Sequence, residues 1–126
     1  MGKATPDAVL DVMLDYIADN ADAIHVCSDE PANYAGISAV ELATTALTVG
    51  DGNGDYTVGD GDASGRKLAI AQQADIDIDT SGTATHIALS NGSDTLYYVT
   101  TCTSQALVDT GTVTIPTWDI EIADPT

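Results

Sequence analysis

Residues 1–21 carry apolar and acidic side chains at the spacing of a helix. Large apolar residues recur along one face, namely Val9, Val12, Met13, Tyr16 and Ile17. Acidic residues lie opposite them, namely Asp11, Asp15 and Asp19. The pattern predicts an amphipathic α-helix over residues 1–21. Because apolar surface is unfavourable in water, we expect the stripe to be buried on the rest of the domain or on a neighbouring chain.

Most of the remaining chain alternates apolar and polar positions with the period of two that is typical of strands. Asp75–Asp79 alternates strictly, and Thr83–Leu89 and Thr95–Thr101 flank Asn91-Gly92, a strong hairpin signal. The other predicted strands are Ala23–Cys27, Lys67–Gln72, Gln105–Val108, Thr112–Ile115 and Trp118–Ile122, with Asp109–Gly111 joining two of them. About seven short strands at regular spacing predict a mainly β fold. We expect an antiparallel β-sandwich or barrel-like domain preceded by one N-terminal amphipathic helix.

Two stretches between the predicted strands are rich in turn-forming residues. Ser28–Gly36 contains proline, asparagine and glycine, which predicts an irregular loop. Gly50–Gly65 holds six of the 11 glycines and four aspartates, and its length as a predicted loop indicates a role. The chain has 126 residues and no evident repeat or linker. We expect a single domain over 1–126, with 1–21 as the helix and 22–126 as the β-rich body.

The chain is strongly acidic, with 3 Lys plus Arg against 20 Asp plus Glu and a formal net charge of −17 at pH 7. Hydrophobic residues make up 44% of it, which excludes the low hydrophobicity of a disordered chain. Binding to nucleic acids or anionic membranes requires more cations than the three of this chain, so neither is an expected partner. No signal-peptide pattern is evident, so we expect cytosolic synthesis. So few cations also fit a protein that works in high salt, where self-repulsion is screened.

The segment that starts at Asp51 carries the most specific chemical signal. Asp51, Asn53 and Asp55 occupy positions one, three and five of a calcium loop, and Asp62 occupies position twelve. Calcium prefers such oxygen ligands, spaced so that the loop wraps the ion. Position six is Tyr56 where the motif has glycine, and position twelve is Asp where it has Glu. The alternatives are a Ca²⁺ site at these four residues and a hydrophilic turn in an aspartate-rich chain.

Two predicted strands carry carboxylates on one face. Asp75, Asp77 and Asp79 share a face of one strand, and Asp119 and Glu121 share a face of the other. Because like charges directly opposite each other destabilise a strand pair, we expect these strands to be separated or to have a cation between them. Acid–base catalysis would need two such carboxyls in a cleft with divergent pKa values. We favour solvated outer faces.

Other candidate chemistry is sparse. His25, His86, Cys27 and Cys102 do not have the spacing of a zinc finger or ribbon. The chain has no P-loop, dinucleotide-binding or nucleophile-elbow motif. We therefore expect no enzyme activity and no cofactor, unless the candidate loop binds Ca²⁺. Two cysteines are too few for a disulfide scaffold, so both are expected to be reduced and buried, although sequence leaves their pairing open.

Five residues are candidates for an interface with a partner. Tyr97 and Tyr98 are neighbours on a predicted strand and point to opposite faces, so at least one is expected to meet solvent or a partner. Val9, Met13 and Tyr16 on the helix complete the set. For the two strand tyrosines, the alternative is that they only cover the edge of the sheet.

The C-terminal part of the chain resembles small β-rich structural proteins encoded in tailed-bacteriophage genomes. Four runs carry the resemblance: GTATHIALSNG at 82–92, LYYVTTC at 96–102, QAL at 105–107 and GTVTIPTWDIEI at 111–122. They cover roughly residues 75 to 124 and contain no catalytic motif. The resemblance implies a virion component made in the host cytoplasm, such as a head decoration (cement) protein or a neck or tail accessory protein.

Three classes of function follow. The first is a non-enzymatic virion structural protein, a decoration protein on the outer head surface that binds the major capsid protein or other virion proteins. We expect it to be a homo-oligomer, with a trimer favoured. The alternative is a neck, tail or fibre accessory protein that binds a receptor or glycan, assisted by Ca²⁺ at the candidate loop. The third is a small acidic hydrolase, which would need a cleft with two carboxyls.

Overall fold

A computed structural model describes residues 6–123, in which backbone hydrogen bonds define two helices and nine strands. The helices are α1 (Asp7–Asn20) and α2 (Tyr34–Val40). The strands are β1 (Ala23–Cys27), β2 (Glu41–Ala46), β3 (Tyr56–Asp60), β4 (Arg66–Ile70), β5 (Gln73–Asp77), β6 (Gly82–Ser90), β7 (Leu96–Leu107), β8 (Thr112–Ile115) and β9 (Trp118–Ile122). These strands pair antiparallel. The predicted fold class, mainly β with antiparallel sheets and an N-terminal helix, is confirmed.

The described chain folds into two compact units, each built from separated segments. The first unit contains residues 6–20, 48–72 and 116–123, and the second contains residues 21–47 and 73–115. The helix α1 therefore shares a unit with β3, β4 and β9. The predicted division into a helix and one β-rich body does not coincide with these units. Residues 1–5 of the predicted helical segment lie outside the described residues.

In the first unit, α1 packs on a three-stranded sheet. The sheet has the order β3–β4–β9, and α1 contacts β4 and β3. The buried residues of this unit include Leu14, Ile17 and Ala18 of α1 and Tyr56, Leu68, Ile70 and Ile120 of the strands. Burial of these side chains is the main force that holds the helix on the sheet. The helix in turn places the carboxylate of Asp11 beside Arg66 of β4.

The second unit contains a four-stranded sheet and a strand pair. The sheet has the order β2–β1–β6–β7, and β5 pairs with β8. An isolated bridge between Ala43 and Ile78 connects β2 to the residue that follows β5. The two middle strands, β1 and β6, supply Ile24, Val26, Ala88 and Leu89 to the core. The strand β7 is an end strand of the sheet.

Three strand predictions are confirmed with their bounds and the others are shifted or corrected. The strictly alternating prediction Asp75–Asp79 lies partly outside β5, which ends at Asp77. The predicted strands at Ala23–Cys27, Thr112–Ile115 and Trp118–Ile122 are present with these bounds. The predicted separate strand Gln105–Val108 is wrong, since residues 105–107 are the end of β7, which pairs with β6 as far as Leu107, and Val108 lies beyond it. Because β8 pairs with β5, Asp109–Gly111 does not close the hairpin that the sequence predicts. Because β7 pairs with β6 from Leu96 to Leu107, it forms one strand.

Two predicted loops contain regular structure. The helix α2 begins inside the predicted loop Ser28–Gly36, because Asn33 caps it. The Asn33 side chain accepts a hydrogen bond from the backbone N–H of Gly36 at 2.9 Å. The strand β3 lies inside the predicted loop Gly50–Gly65, where Tyr56 is fully buried and opposite Ile70 of β4. Pairing with β4 and burial of Tyr56 stabilise a strand in a segment whose composition indicates only turns.

The hairpin predicted at Asn91-Gly92 is confirmed, with a longer loop than two residues. Ser90 of β6 pairs with Leu96 of β7, so residues 91–95 form the loop. The Asn91 side-chain oxygen accepts hydrogen bonds from the three backbone N–H groups of residues 93–95, at 2.9–3.0 Å. Gly92 adopts a φ of 70°, a left-handed conformation that glycine reaches without strain. One asparagine side chain thus organises the whole connection.

Candidate functional site

The helix α1 has two apolar faces, and only one of them is buried. The inner face consists of Leu14, Ile17 and Ala18 and is buried on the sheet. The outer face consists of Val9, Val12, Met13 and Tyr16, which are 59%, 68%, 54% and 58% exposed. The expectation that the rest of the domain covers the predicted stripe is therefore wrong for every residue except Ile17. For the outer face, burial on a neighbouring chain stays a prediction.

The spacing of the outer-face residues gives this surface a defined shape. They stand at positions i, i+3, i+4 and i+7, which place them on one side of the helix over two turns. The distance along the helix axis from the first to the last is about 10 Å, at about 1.5 Å per residue. Four large apolar side chains that are more than half exposed on one helix face form a patch of the kind that marks interaction sites.

A basic side chain of the first unit, Arg66, is held on carboxylates beside α1. Its Nε and Nη2 lie 2.8 and 3.3 Å from the two carboxylate oxygens of Asp11, and its Nη1 lies 2.7 Å from Asp60 Oδ1. Asp7 lies farther away, at 3.9 Å. The hydrogen bond to Asp11 raises the pKa of Arg66 most, and Asp60 and Asp7 add to it. The two-point contact with Asp11 ties α1 to β4 and fixes how the helix lies.

The neighbouring cation, Lys67, is also engaged by carboxylates. Its Nζ lies 2.7 Å from Asp62 Oδ1 and 3.7 Å from Asp119 Oδ2. The hydrogen bond that Lys67 donates to Asp62 is the main reason that the pKa of Lys67 is raised. Arg66 and Lys67 are the basic residues of the described part of the chain, apart from the histidines. Both are therefore used to neutralise carboxylates of their own unit.

Asp15 lies on α1 in a strongly negative environment. Burial raises the pKa of its carboxyl, and the charges of Asp11, Asp19 and Asp51 raise it further. Arg66 acts in the opposite direction, but it is the smallest of the contributions. No basic residue lies in the last turn of α1, where the negative end of the helix dipole would favour one. The end of α1 that carries Asp15 and Asp19 is thus negative and lacks a cation of its own.

The four candidate calcium ligands contact other groups of the chain. Asp51 and Asp55 each accept a backbone N–H from a residue seven positions away, at 2.9 and 2.6 Å. The Asn53 amide donates to a backbone carbonyl at 2.8 Å, and Asp62 binds Lys67. Between residues 6 and 123, no group of three or more His, Cys, Asp or Glu side chains could hold a metal ion. A Ca²⁺ site at these residues stays a prediction, and it would require these contacts to be exchanged for the ion.

The two predicted carboxylate faces lie on strands that do not pair with each other. The strand β5 pairs with β8, and β9 pairs with β4. Asp75, Asp77 and Asp79 are exposed, and so are Asp119 and Glu121 of β9. Glu121 stands opposite Lys67 in the β4–β9 register. The expected separation of the two acidic strands is therefore confirmed, and one of them has a cation opposite it.

A buried polar network that the sequence did not reveal connects three strands of the second unit. His25 of β1 contacts Glu41 Oε2 through Nδ1 at 2.6 Å and Ser90 Oγ through Nε2 at 2.7 Å. We call these three residues the His25 network. Ser90 is 0% exposed and His25 is 5% exposed, and the Ser90 oxygen also accepts the backbone N–H of Gly92 at 3.0 Å. In the imidazole tautomer that donates from Nδ1 to the carboxylate, Nε2 accepts the Ser90 hydroxyl proton.

The order of the contacts in the His25 network is that of a serine nucleophile, its base and the orienting acid. The Ser90 hydroxyl, however, lacks the accessibility of a catalytic nucleophile. A nucleophile must reach its substrate, whereas Ser90 is fully buried. A cleft of about 300 Å³ lies beside the network, and its lining includes His25, Tyr34, Glu41 and Asp79 but not Ser90. We interpret the network as a structural connection between β1, β2 and β6. Its members are 16 and 65 positions apart, so no local spacing could have indicated it.

The remaining candidate residues are dispersed over the second unit. Cys27 is buried and Cys102 is partly exposed, and both are free thiols, so the expectation that both are buried is wrong for Cys102. Burial is the main reason that the pKa of Cys27 is raised to about 12. Tyr97 and Tyr98 are both partly buried on the end strand β7. They are not part of the unit that contains the outer face of α1.

Comparison with known proteins adds no relative. No family model, no curated protein and no solved structure matches the chain. In the described part of the chain, neither helix has the length and apolar character needed to cross a membrane.

Proposed function

We propose that this chain is a non-enzymatic structural protein of a tailed-phage particle, a decoration protein that binds the major capsid protein on the outer head surface. The observation that carries the proposal is the exposed outer face of α1. A catalytic protein needs accessible reactive groups. The His25 network has the order of contacts of a catalytic triad, but its hydroxyl group, on Ser90, is buried. An assembly protein needs an exposed apolar surface that a neighbour can cover, and the outer face supplies one.

The energy available at the outer face is sufficient for a protein contact. Complete burial of a Val, Met or similar side chain is worth about 1.5–3 kcal/mol. Each of the four residues is between 54% and 68% exposed, so covering each one gains about 1–2 kcal/mol. Association itself costs several kcal/mol of lost freedom, so the outer face needs further contacts to give a stable complex. Many identical copies on a lattice would supply them, because each bound subunit stabilises the form that it binds.

Electron microscopy of purified parent particles tests the proposal. We expect density for this chain to repeat over the head lattice, with α1 placed against the shell. Particles assembled with the variant Val12→Asp should lose this density, because a buried charge replaces an apolar contact. Ala63→Asp adds the same charge at an exposed residue of the same unit outside α1 and should leave the density in place. A chain absent from every particle, or head density unaffected by Val12→Asp, would contradict the proposal.

The alternative, a neck, tail or fibre protein that binds a glycan, is favoured by one observation. The 300 Å³ cleft of the second unit combines the ring of Tyr34 with the carboxylates of Glu41 and Asp79 and the hydroxyls of Ser38 and Thr80. Sugars stack on aromatic rings and donate hydrogen bonds to carboxylates. Density confined to the neck or tail, together with saturable binding of a monosaccharide that Tyr34→Ala abolishes, would support this alternative.

A further inference from the structure

We propose that the outer face of α1 docks into an apolar groove of a partner protein whose rim is basic, and that it does not pair with a second copy of this chain. This inference rests on the proposed function only in assigning α1 as the contact; the groove and its charge follow from the residues around the helix. The i, i+3, i+4 and i+7 positions of Val9, Val12, Met13 and Tyr16 are the pattern by which an amphipathic helix enters a groove.

The apolar side chains set the length and depth of the groove. They project from two turns of α1, so the groove must cover about 10 Å of helix. The inner face holds the helix on β3 and β4, so the helix is ordered before the partner arrives. A preformed helix loses little conformational entropy when it binds, which is an advantage that a disordered segment lacks.

The charge of the rim follows from the acidic residues of α1. Asp7, Asp11, Asp15 and Asp19 all belong to this helix, which carries no basic residue between residues 7 and 20. Arg66 of β4 neutralises Asp11. Asp15 and Asp19 stand three positions after Val12 and Tyr16, so they border the outer face rather than lie opposite it, at the end of α1 whose last turn has no cation. Lys or Arg side chains on the partner's rim would supply the missing cations and would also interact favourably with the negative end of the helix dipole.

The same charges argue against a second copy as the occupant. Two outer faces in contact would bring together two copies of Asp15 and Asp19, for which α1 supplies no lysine or arginine, within chains that each carry a net charge of −17. Like charges across an interface oppose association, and salt only partly screens charges that are this close. The partner is therefore a protein of opposite local charge.

Two synthetic helical hairpins test this inference without the natural partner. Both present the same leucine-lined groove, and they differ only in rim residues, lysine in one and glutamate in the other. We expect the full-length chain to bind the lysine hairpin at least about tenfold more tightly than the glutamate hairpin, measured by fluorescence anisotropy. The preference should shrink as ionic strength rises, because added salt screens the rim charges.

Variants of α1 locate the contact. Val12→Asp should weaken binding of the lysine hairpin by at least about tenfold, whereas Ala63→Asp, at an exposed residue outside α1, should not weaken it. Equal binding of the two hairpins, or binding unaffected by Val12→Asp, would overturn the inference. Sedimentation that shows a dimer dissociated by Val12→Asp would overturn it in favour of a second copy. If the hairpin results are as expected and the chain is absent from phage particles, the proposed function fails and the docking inference stands.

Discussion

Replacing Ser90 with alanine tests whether the His25 network is structural. The hydroxyl lies 2.7 Å from His25 Nε2 and 3.0 Å from the N–H of Gly92, and Ser90 is 0% exposed. Ser90→Ala removes the partner of a buried imidazole nitrogen, to which water has little access. A buried polar group left without a partner costs about 1–3 kcal/mol. The Gly92 N–H lies at an exposed loop residue, where water can replace the hydroxyl, so we expect a total loss of about 2 kcal/mol.

Urea and thermal denaturation at neutral pH measure this loss. At about 4 °C per kcal/mol for a chain of this size, the melting temperature should fall by about 8 °C. The matched control is Ser93→Ala in the same loop. Ser93 is exposed, so its substitution should change stability by less than about 0.5 kcal/mol. A Ser90→Ala variant as stable as Ser93→Ala would refute the structural role, and covalent labelling of Ser90 by a fluorophosphonate would show that its hydroxyl is an accessible nucleophile.

Three further predictions concern charge and thiol chemistry. Asp15→Asn should raise the free energy of unfolding at neutral pH by about 0.5–1 kcal/mol by removing the repulsion from Asp11 and Asp19, and an unchanged melting temperature would contradict it. Because the pKa of Asp15 is raised in the folded state, that gain should disappear as the pH falls through the raised pKa towards the ordinary value. The melting temperature of the unmodified chain should rise between about 0.01 M and about 1 M salt, as the Debye length shortens from about 30 Å to about 3 Å, and a flat response would count against salt adaptation. At mildly alkaline pH a thiol reagent should modify Cys102 and leave Cys27 unmodified until urea is added, because burial raises the pKa of Cys27 to about 12; two rapidly reacting thiols would disprove this.

The sequence predicted correctly those strands whose apolar and polar residues alternate, and it missed elements that lack such a pattern. The alternation in Trp118–Ile122 indicated a strand because one face of a strand can be buried while the other meets solvent. Ala23–Cys27 was also predicted correctly as a strand, although the structure buries both of its faces. The helix α2 was missed because its seven residues include Gly36 and no repeated apolar stripe, although Asn33 was an available capping signal. The strand β3 was missed because glycine and aspartate dominate its surroundings, and its stability comes from the pairing of Tyr56 opposite Ile70.

The orientation of α1 could not be predicted because the helix has apolar residues on two faces. Hydrophobicity alone ranks Val12 and Met13 with Leu14 and Ile17, so it does not decide which side meets the sheet. In the folded unit the contact between Arg66 and Asp11 helps to fix that choice. These two residues are 55 positions apart, which no periodicity reports. The candidate contact surface is therefore a product of tertiary packing, although each of its residues was visible as part of an apolar stripe.

The carboxylates on α1 oppose self-association of the chain through its exposed outer face. An apolar helix face of this kind is an aggregation hazard when nothing opposes self-contact. Asp15 and Asp19 oppose it, but burial and then the charges of Asp11 and Asp19 raise the pKa of Asp15, so its ionised form costs the folded chain stability. Asp15→Asn should therefore have two opposite effects, a higher melting temperature and more self-association at high protein concentration in sedimentation. If stability rises without any increase in self-association, the acidic residues of α1 are not what prevents two outer faces from pairing.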